Sequence, residues 1–483
     1  MRDTDVMKPR RTFPMLVAVL LAALAFAQGD PLAGTWTGAL EPDGINLEIR
    51  VAFERTPAGL TGTFDIPPQG AFGIPLADIA ATQDGAVRFG APSLAGDPRF
   101  EGTLDGEAMT GTFTQGAARL PFRLTRDAEG AAGAPPERPQ TPVAPFPYRV
   151  EDVTWRGPAG TLAGTLTLPD SPQPPVVLLI NGSGAQDRDG TVMGHPTMAV
   201  LADALARRGL GALRWDDRGV GGSDGDLGAA GYDGLVGDVH AALQFLNERG
   251  DVDASRLALL GHSEGGIIAP RAATELQDDP PVAALVLLAA PAIDGVDLLV
   301  TQNEAIYALA GAERSDLDAQ VAYLRALHAA LLQGDEDAAV ALTRERAAEQ
   351  LAALPEAQRP PNVDAVLDAA VAETRMPTFQ DLVLSTPAEA LAKLEVPTLA
   401  LYGERDVQVT ADANVEAARR ALEGTHEATD VVLLPGLNHL LQPAETGAVA
   451  EYAQIRTTID EGALERIVTF LEQVLLSTSP TTR

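Results

Sequence analysis

The sequence predicts an α/β chain: a mostly parallel sheet flanked by helices, interrupted by a helical insertion and preceded by a small all-β domain. Three observations carry this. After about residue 148, apolar runs alternate with helical stretches. Upstream of them, short alternating stretches are punctuated by glycine, proline and aspartate. From about Ile293 to Leu394 no buried strand appears, and alanine, leucine, glutamate and arginine recur at helical spacing.

In chain order, residues 1–27 read as a secretory signal. Lys8, Arg10 and Arg11 precede the apolar run Met15–Ala27, and "AFA" before Gln28 is a small-x-small cleavage site. The run is 13 residues long, whereas a membrane span needs ~20. A mature chain starting near Gln28, exported to the periplasm or beyond and with no stable membrane span, is therefore expected. Residues 28–126 contain "LEIRVAFE", "GLTGTFDI", "RFEGTLDG" and "AMTGTFTQG". Period-two alternation between turn residues predicts antiparallel strands in a sandwich or barrel. The stretch "GTWTG", Gly34–Gly38, resembles the opening of lipocalin-like barrels. Its tryptophan is read as a barrel-end plug. Residues 127–147, rich in proline, alanine and glycine, read as an extended linker.

In residues 148–483, "YRVEDVTWRG" and "GTLAGTLTLP" predict a leading hairpin. The runs "VVLLI", "LGALRW", "RLALLG", "ALVLLAA", "PTLALYG" and "DVVLLPG" follow. Strands without polar alternation are buried on both faces, which implies a mostly parallel sheet. The insertion at about 293–394 reads as a helical cap that shapes the acyl and alcohol pockets.

Composition narrows the function. The 483 residues carry 35 basic and 67 acidic side chains, a net charge of −32. No basic run offers a nucleic-acid partner or an anionic membrane surface a footing. The chain has no cysteine, so disulfides, thiolate metal sites and a cysteine nucleophile are excluded.

The chemistry centres on Gly261-His262-Ser263-Glu264-Gly265. This fits G-x-S-x-G, in which a sharp strand-to-helix turn exposes a serine hydroxyl. "RLALL" supplies the strand and "GGIIAPRAATEL" the helix. Ser263 is the predicted nucleophile. It needs a base, and the base an orienting carboxylate. Ligands in such sheets bind at the carboxyl ends of the strands. Of the six histidines, His240 and His328 fall within helices, His195 begins one, and His426 precedes a strand. His262 flanks the nucleophile with its side chain expected to point away. His439, in "PGLNHLL", follows a strand directly and is the expected base. Asp406, in "LYGERDVQV", is the expected acid, with Asp412 nearby and Asp294 as the serious competitor. The oxyanion hole needs two backbone N–H groups. Glu264 is one. Ser183, in the loop "NGSGAQDRDG", is the other. Arg214, Asp216 and Arg218 are expected to form one buried charge network beneath the site, and Asp187-Arg188-Asp189 to brace the oxyanion loop.

Together "NGSGAQDRDG", "LRWDDRGVGGSDG", "GHSEGG", "LYGERDVQV" and "PGLNHLL" make residues 148–476 resemble an α/β-hydrolase, and more narrowly a bacterial esterase subgroup with prolyl-oligopeptidase-like relatives, in which a leading β-domain also occurs. The resemblance implies hydrolysis of small-molecule carboxylic esters without metal or cofactor, by a triad of Ser263, Asp406 and His439. A serine aminopeptidase or dipeptidase and a non-catalytic envelope binding protein are the alternatives.

Overall fold

The computed structural model describes residues 32–40, 47–56, 59–66, 71–82, 85–91, 98–115, 118–126, 138–275, 281–354 and 363–477. The expected signal segment lies outside them. The chain divides into two compact units, residues 1–132 and 133–483.

The first unit is a nine-stranded antiparallel sheet. Its strands are β1 (Gly34–Leu40), β2 (Leu47–Thr56), β3 (Gly59–Ile66), β4 (Ala71–Pro75), β5 (Ala77–Ala81), β6 (Ala86–Gly90), β7 (Arg99–Asp105), β8 (Ala108–Gln115) and β9 (Ala118–Arg126). The order is β4-β3-β2-β1-β9-β8-β7-β6-β5. The two edge strands, β4 and β5, are joined by Leu76 alone, so the chain brings the two edges of the sheet near each other at that residue. The interior is aromatic: Phe89 stacks on Phe100 at 4.6 Å, and Phe64, Phe113 and Phe122 pack around Phe100. Trp36 of "GTWTG" is fully buried, donates its indole N–H to the Leu32 carbonyl at 2.8 Å, and is covered by the Arg126 guanidinium 4.2 Å from the ring centroid. Trp36 thus belongs to the hydrophobic core of this unit.

The second unit is built on an eight-stranded sheet of order β10-β11-β15-β12-β16-β17-β18-β19. The strands are β10 (Arg149–Gly157), β11 (Gly160–Leu168), β12 (Val176–Ile180), β15 (Gly211–Trp215), β16 (Leu257–His262), β17 (Val282–Leu288), β18 (Thr398–Gly403) and β19 (Asp430–Leu434); β13 (Thr191–Val192) and β14 (His195–Pro196) form a small separate ribbon. The leading β10–β11 hairpin is antiparallel, β15 joins β11 antiparallel, and every later pair is parallel. The alternation of strand side chains decides the layers. Leu178, Leu259 and Leu287 face one core, against helices Tyr232–Asn247, Gly265–Glu275 and Ala411–Leu422. Leu179, Leu260 and Val286 face the other, against helices Thr197–Arg207 and Glu461–Leu475. Each fully buried leucine contributes roughly 1.5–3 kcal/mol, which explains why these strands have no polar face. The chain leaves β12 toward β15 and β16 toward β17, so the loops at their carboxyl ends diverge and open a crevice. Between β17 and β18, the described residues of the insertion form six helices from Gly295 to Leu391. No described helix is long and apolar enough to cross a membrane.

Three expectations change. Of the supposed linker, 127–137 lie outside the described residues, but Arg138 and Gln140 are fastened to the second unit. Arg138 donates to the carbonyls of Ala453 at 2.8 Å, Met193 at 3.2 Å and Ile455. Gln140 accepts from Thr458 N–H at 2.7 Å and donates to the Ile459 carbonyl at 2.8 Å. His195 does not begin a helix; it sits in β14, fully buried, with ring nitrogens on Thr458 Oγ1 and the Tyr452 carbonyl. Arg214, Asp216 and Arg218 do not form one network. Arg214 pairs with Asp189 at 2.9 Å, Asp216 with Arg188 at 2.7 Å, and Arg218 with Asp238 at 2.5 Å. Strand β15 ends at Trp215, so Asp216 and Arg218 lie in the loop beyond it, where the alternation that would put 214, 216 and 218 on one face no longer holds.

Asp238→Ala leaves the buried Arg218 guanidinium without its anion, and a cost of about 3–5 kcal/mol in urea unfolding is expected. A value under about 1 kcal/mol would show that water reaches the pair. Burial pushes His195 down to about 4 from an ordinary 6.5. Below pH 6.5 the unfolded chain takes up a proton that the folded chain refuses, so stability falls as pH drops from 6.5 toward 4. His195→Asn should flatten that slope in pH-dependent melts.

Candidate active site

Strand β16 ends at His262 and a helix begins at Gly265, leaving two residues to turn the chain. Ser263 has φ of 55°, the left-handed region that a residue with a side chain enters only under constraint. The constraint is visible. A Cβ on Gly265 would lie 2.5 Å from the carbonyl oxygens of Ile180 and Asn181, and one on Gly261 would lie 2.1 Å from the Gly265 oxygen. Neither position admits a side chain. Ser263 N–H donates to the Leu288 carbonyl at 2.9 Å, tying the elbow to the end of β17.

His439 stands in the loop after β19. Its Nδ1 is 2.8 Å from Asp406 Oδ2, and both side chains are buried. With Nδ1–H donating to the carboxylate, Nε2 keeps its lone pair. Asp406 is itself fixed: its Oδ1 accepts from Gln408 N–H at 2.8 Å and Val409 N–H at 2.9 Å. The histidine loop is stapled by Asn438, whose Oδ1 accepts from Leu440 and Gln442 N–H and whose Nδ2 donates to Gln442 Oε1. Asp294 is an exposed residue preceding helix Gly295–Ala310, and Asp412 lies in the first turn of helix Ala411–Leu422. His439 pairs with neither.

His262 is not turned out of the site as expected. Its side chain does not simply turn away; it lines the same cavity as Ser263 and His439. Its Nε2 donates to the His439 carbonyl at 3.0 Å, and burial together with the neighbouring His439 pushes it down to about 3. A neutral His262 thus holds the backbone of the His439 loop.

The loop 181–190 crosses above the serine. A Cβ on Gly182 would lie 3.1 Å from Ser263 Cβ. The loop is tied down from beneath. Arg188 donates to both oxygens of Asp216 at 2.7 and 3.1 Å, and its backbone N–H reaches Asp216 Oδ1 at 2.9 Å. Gln186 N–H donates to Asp217 Oδ2 at 2.9 Å. The Asp187-Arg188-Asp189 stretch therefore braces the loop. Ser183 sits at its exposed crest. Glu264 opens the elbow helix, its carbonyl accepting from Ile267 and Ile268.

Ser263 and His439 line one cavity of about 170 Å³, together with Gly182, Ser183, Gln186, Met198, Gln408, Leu440, Val449 and Tyr452. Among the described lining residues none belongs to the insertion. The expectation that the cap shapes this pocket is corrected here: the loops after β12, β18 and β19 and the segment around Tyr452 enclose it. Tyr452 is placed by Gln408, whose Nε2 donates to its hydroxyl at 3.2 Å. Tyr452, Asn438 and Gln442 were not legible as site residues, because nothing in a lone tyrosine or amide marks it before the chain is folded.

Next to the serine lies an acidic pocket that the sequence reading did not single out. Asp217 and Glu264 both line it. Burial pushes each of them up to about 7. Glu264 Oε1 accepts from the Tyr232 hydroxyl at 3.0 Å. His240, His328 and His426 stay away from the cavity: the first bonds the Ala272 carbonyl, the second lies in helix Arg314–Leu332, and the third accepts from Ala428 N–H in a surface turn.

The chain is similar to known proteins to different extents. The family model described as serine aminopeptidase, S33, matches residues 195–445. The match takes in Ser263, Asp406 and His439. Esterase EstD of Thermotoga maritima is 25% identical over 330 residues, which is 68% of this chain and 69% of that protein. An uncharacterized protein of Mycobacterium tuberculosis is 39% identical over 113 residues, 23% of this chain and 35% of that one. Among solved structures, a Pyrococcus furiosus esterase covers 68% of this chain and 91% of its own at 16% identity and a TM-score of 0.42. An α/β hydrolase from Penicillium covers 68% of this chain and 100% of its own at 18% identity and a TM-score of 0.42. With more than half its length matched by the family model, and with a parallel sheet that ends in a serine elbow, the chain belongs to the serine aminopeptidase (S33) family of α/β-hydrolases.

Proposed function

We propose that this protein is an exported serine hydrolase that cleaves carboxylic esters through an acyl-enzyme. The observation that carries the reading is the buried His439–Asp406 hydrogen bond of 2.8 Å beside a serine held at a φ of 55°. Ser263 Oγ attacks the ester carbonyl carbon while His439 Nε2 takes its proton. The oxyanion that forms faces the N–H groups of Glu264 and Ser183. The intermediate collapses, the C–O bond to the alcohol breaks, and His439 returns the proton to the departing alkoxide. Water then repeats the sequence on the acyl-enzyme, activated by His439, and releases the acid. Asp406 holds the imidazole in the Nδ1–H tautomer and stabilises the imidazolium that forms.

The esterase reading is supported by the name of the Thermotoga maritima relative. The family description favours a second reading, cleavage of an amide next to a free amine. The same residues would perform either step, since an amide differs only in its leaving group. Export rests on the basic and apolar pattern of residues 8–28.

Ser263→Ala should lower p-nitrophenyl acetate turnover by about 10^4-fold or more, and Asp406→Asn by about 10^3–10^4-fold. Asp294→Asn should stay within about twofold of wild type, since it removes no such interaction. Ser263→Ala protein with wild-type activity would sink the assignment. Wild-type turnover of alanine p-nitroanilide exceeding that of the ester would select the amidase reading. Folded wild-type protein that no fluorophosphonate probe labels would indicate an inert binding protein. Expressed with its native N-terminus in a bacterial host, the protein should be recovered outside the cytoplasm with Gln28 as its first residue by N-terminal sequencing. Intact Met1 would overturn export.

A further inference from the structure

The helix Tyr232–Asn247 starts without help from its own sequence. Its N-cap is Gly231, which has no side chain to accept from the free N–H groups of the first turn. The acceptor comes from 149 residues away: Asp381 Oδ2, in the insertion, takes the Tyr232 N–H at 2.6 Å. The fit excludes a side chain at 231, because a Cβ there would lie 2.7 Å from that oxygen. A carboxylate at this end is also favoured by the helix dipole. The residue so fixed, Tyr232, is 2% exposed. Its hydroxyl donates to Glu264 Oε1 at 3.0 Å, and Glu264 directly follows Ser263.

We propose that Asp381 and Tyr232 are positioning residues that seat the insertion against the nucleophile elbow and hold the Glu264 N–H in register with the oxyanion. The proposal rests on reading that N–H as an oxyanion donor. Among the described residues the Glu264 carboxyl is bonded by the Tyr232 hydroxyl, and the groups facing it from other elements, Asp217 and Asp381, are also acidic. Without the Tyr232 hydroxyl the carboxyl is buried among like charges and has reason to swing out, turning the 263–264 peptide with it. Burial already holds Glu264 up to about 7, a sign of how poorly water serves it there. The insertion, which lines no part of the cavity described above, would thereby still govern turnover.

The test uses the full chain and p-nitrophenyl acetate. Tyr232→Phe removes the hydroxyl alone. It should lower kcat about tenfold with KM within about twofold. Affinity for a trifluoromethyl ketone, which binds as a tetrahedral oxyanion, should fall in parallel. Asp381→Ala should act in the same direction, whereas Asp381→Asn, which keeps an oxygen acceptor for the Tyr232 N–H, should recover most of the loss. If Tyr232→Phe fails to fold, Glu264→Gln, whose amide oxygen still accepts from the hydroxyl, should keep more activity than Glu264→Leu. Wild-type kcat and ketone affinity in Tyr232→Phe, or equal losses in the two Asp381 variants, would overturn the proposal. An unaltered protein that does not hydrolyse the ester would overturn the reading beneath it instead, so the two failures are told apart.

Discussion

The carbonyl oxygens of Ile180 and Asn181 occupy the space where a side chain at position 265 would stand. This close approach of the end of β12 to the start of the elbow helix governs the rest of the site. It brings loop 181–190 over the serine, and it compels the chain to turn within two residues. The turn is tight enough that Ser263 takes a left-handed conformation, and the Leu288 carbonyl holds it there through Ser263 N–H. Strain of this kind costs of order 1–3 kcal/mol. The flanking sheet offsets it, since strands β12, β16 and β17 are buried on both faces.

A second layer keeps the site from relaxing. Loop 181–190 is glycine-rich and would be mobile alone, yet Arg188 and Gln186 fasten it to Asp216 and Asp217 at the end of β15. The histidine loop is held from three sides, by Asn438 within it, by Asp406 against the imidazole and by His262 against its backbone. The bonds that do this are mostly between side chain and backbone. Such bonds fix direction as well as distance, which matters because a serine, a base and an acid work only in a common alignment.

The pocket illustrates how position in the fold differs from position in the chain. The insertion is the largest departure from the strand–helix rhythm and so attracts attention as the pocket wall. Yet the lining comes from core loops and from the segment around Tyr452, a region that carries no motif. That segment is held by Arg138 and Gln140, which precede the sheet by sequence and looked like linker. Long polar side chains bonding to carbonyls far along the chain leave no local signature.

The sequence by itself determined the strands, the elbow and the three residues brought together at or beside one cavity, because each obeys a local rule. Buried strands need continuous apolar runs, the elbow needs glycine at 261 and 265, and a base must follow a strand to reach the carboxyl edge. Partner choice was decided by tertiary structure alone. Arg214, Asp216 and Arg218 take Asp189, Arg188 and Asp238, not one another. Asp406 and not Asp294 meets His439. Tyr232, apolar in pattern and unremarked in sequence, sits between Asp381 and Glu264. Hydrogen bonds and ion pairs act over about 3 Å, and which groups come that close depends on how distant segments pack.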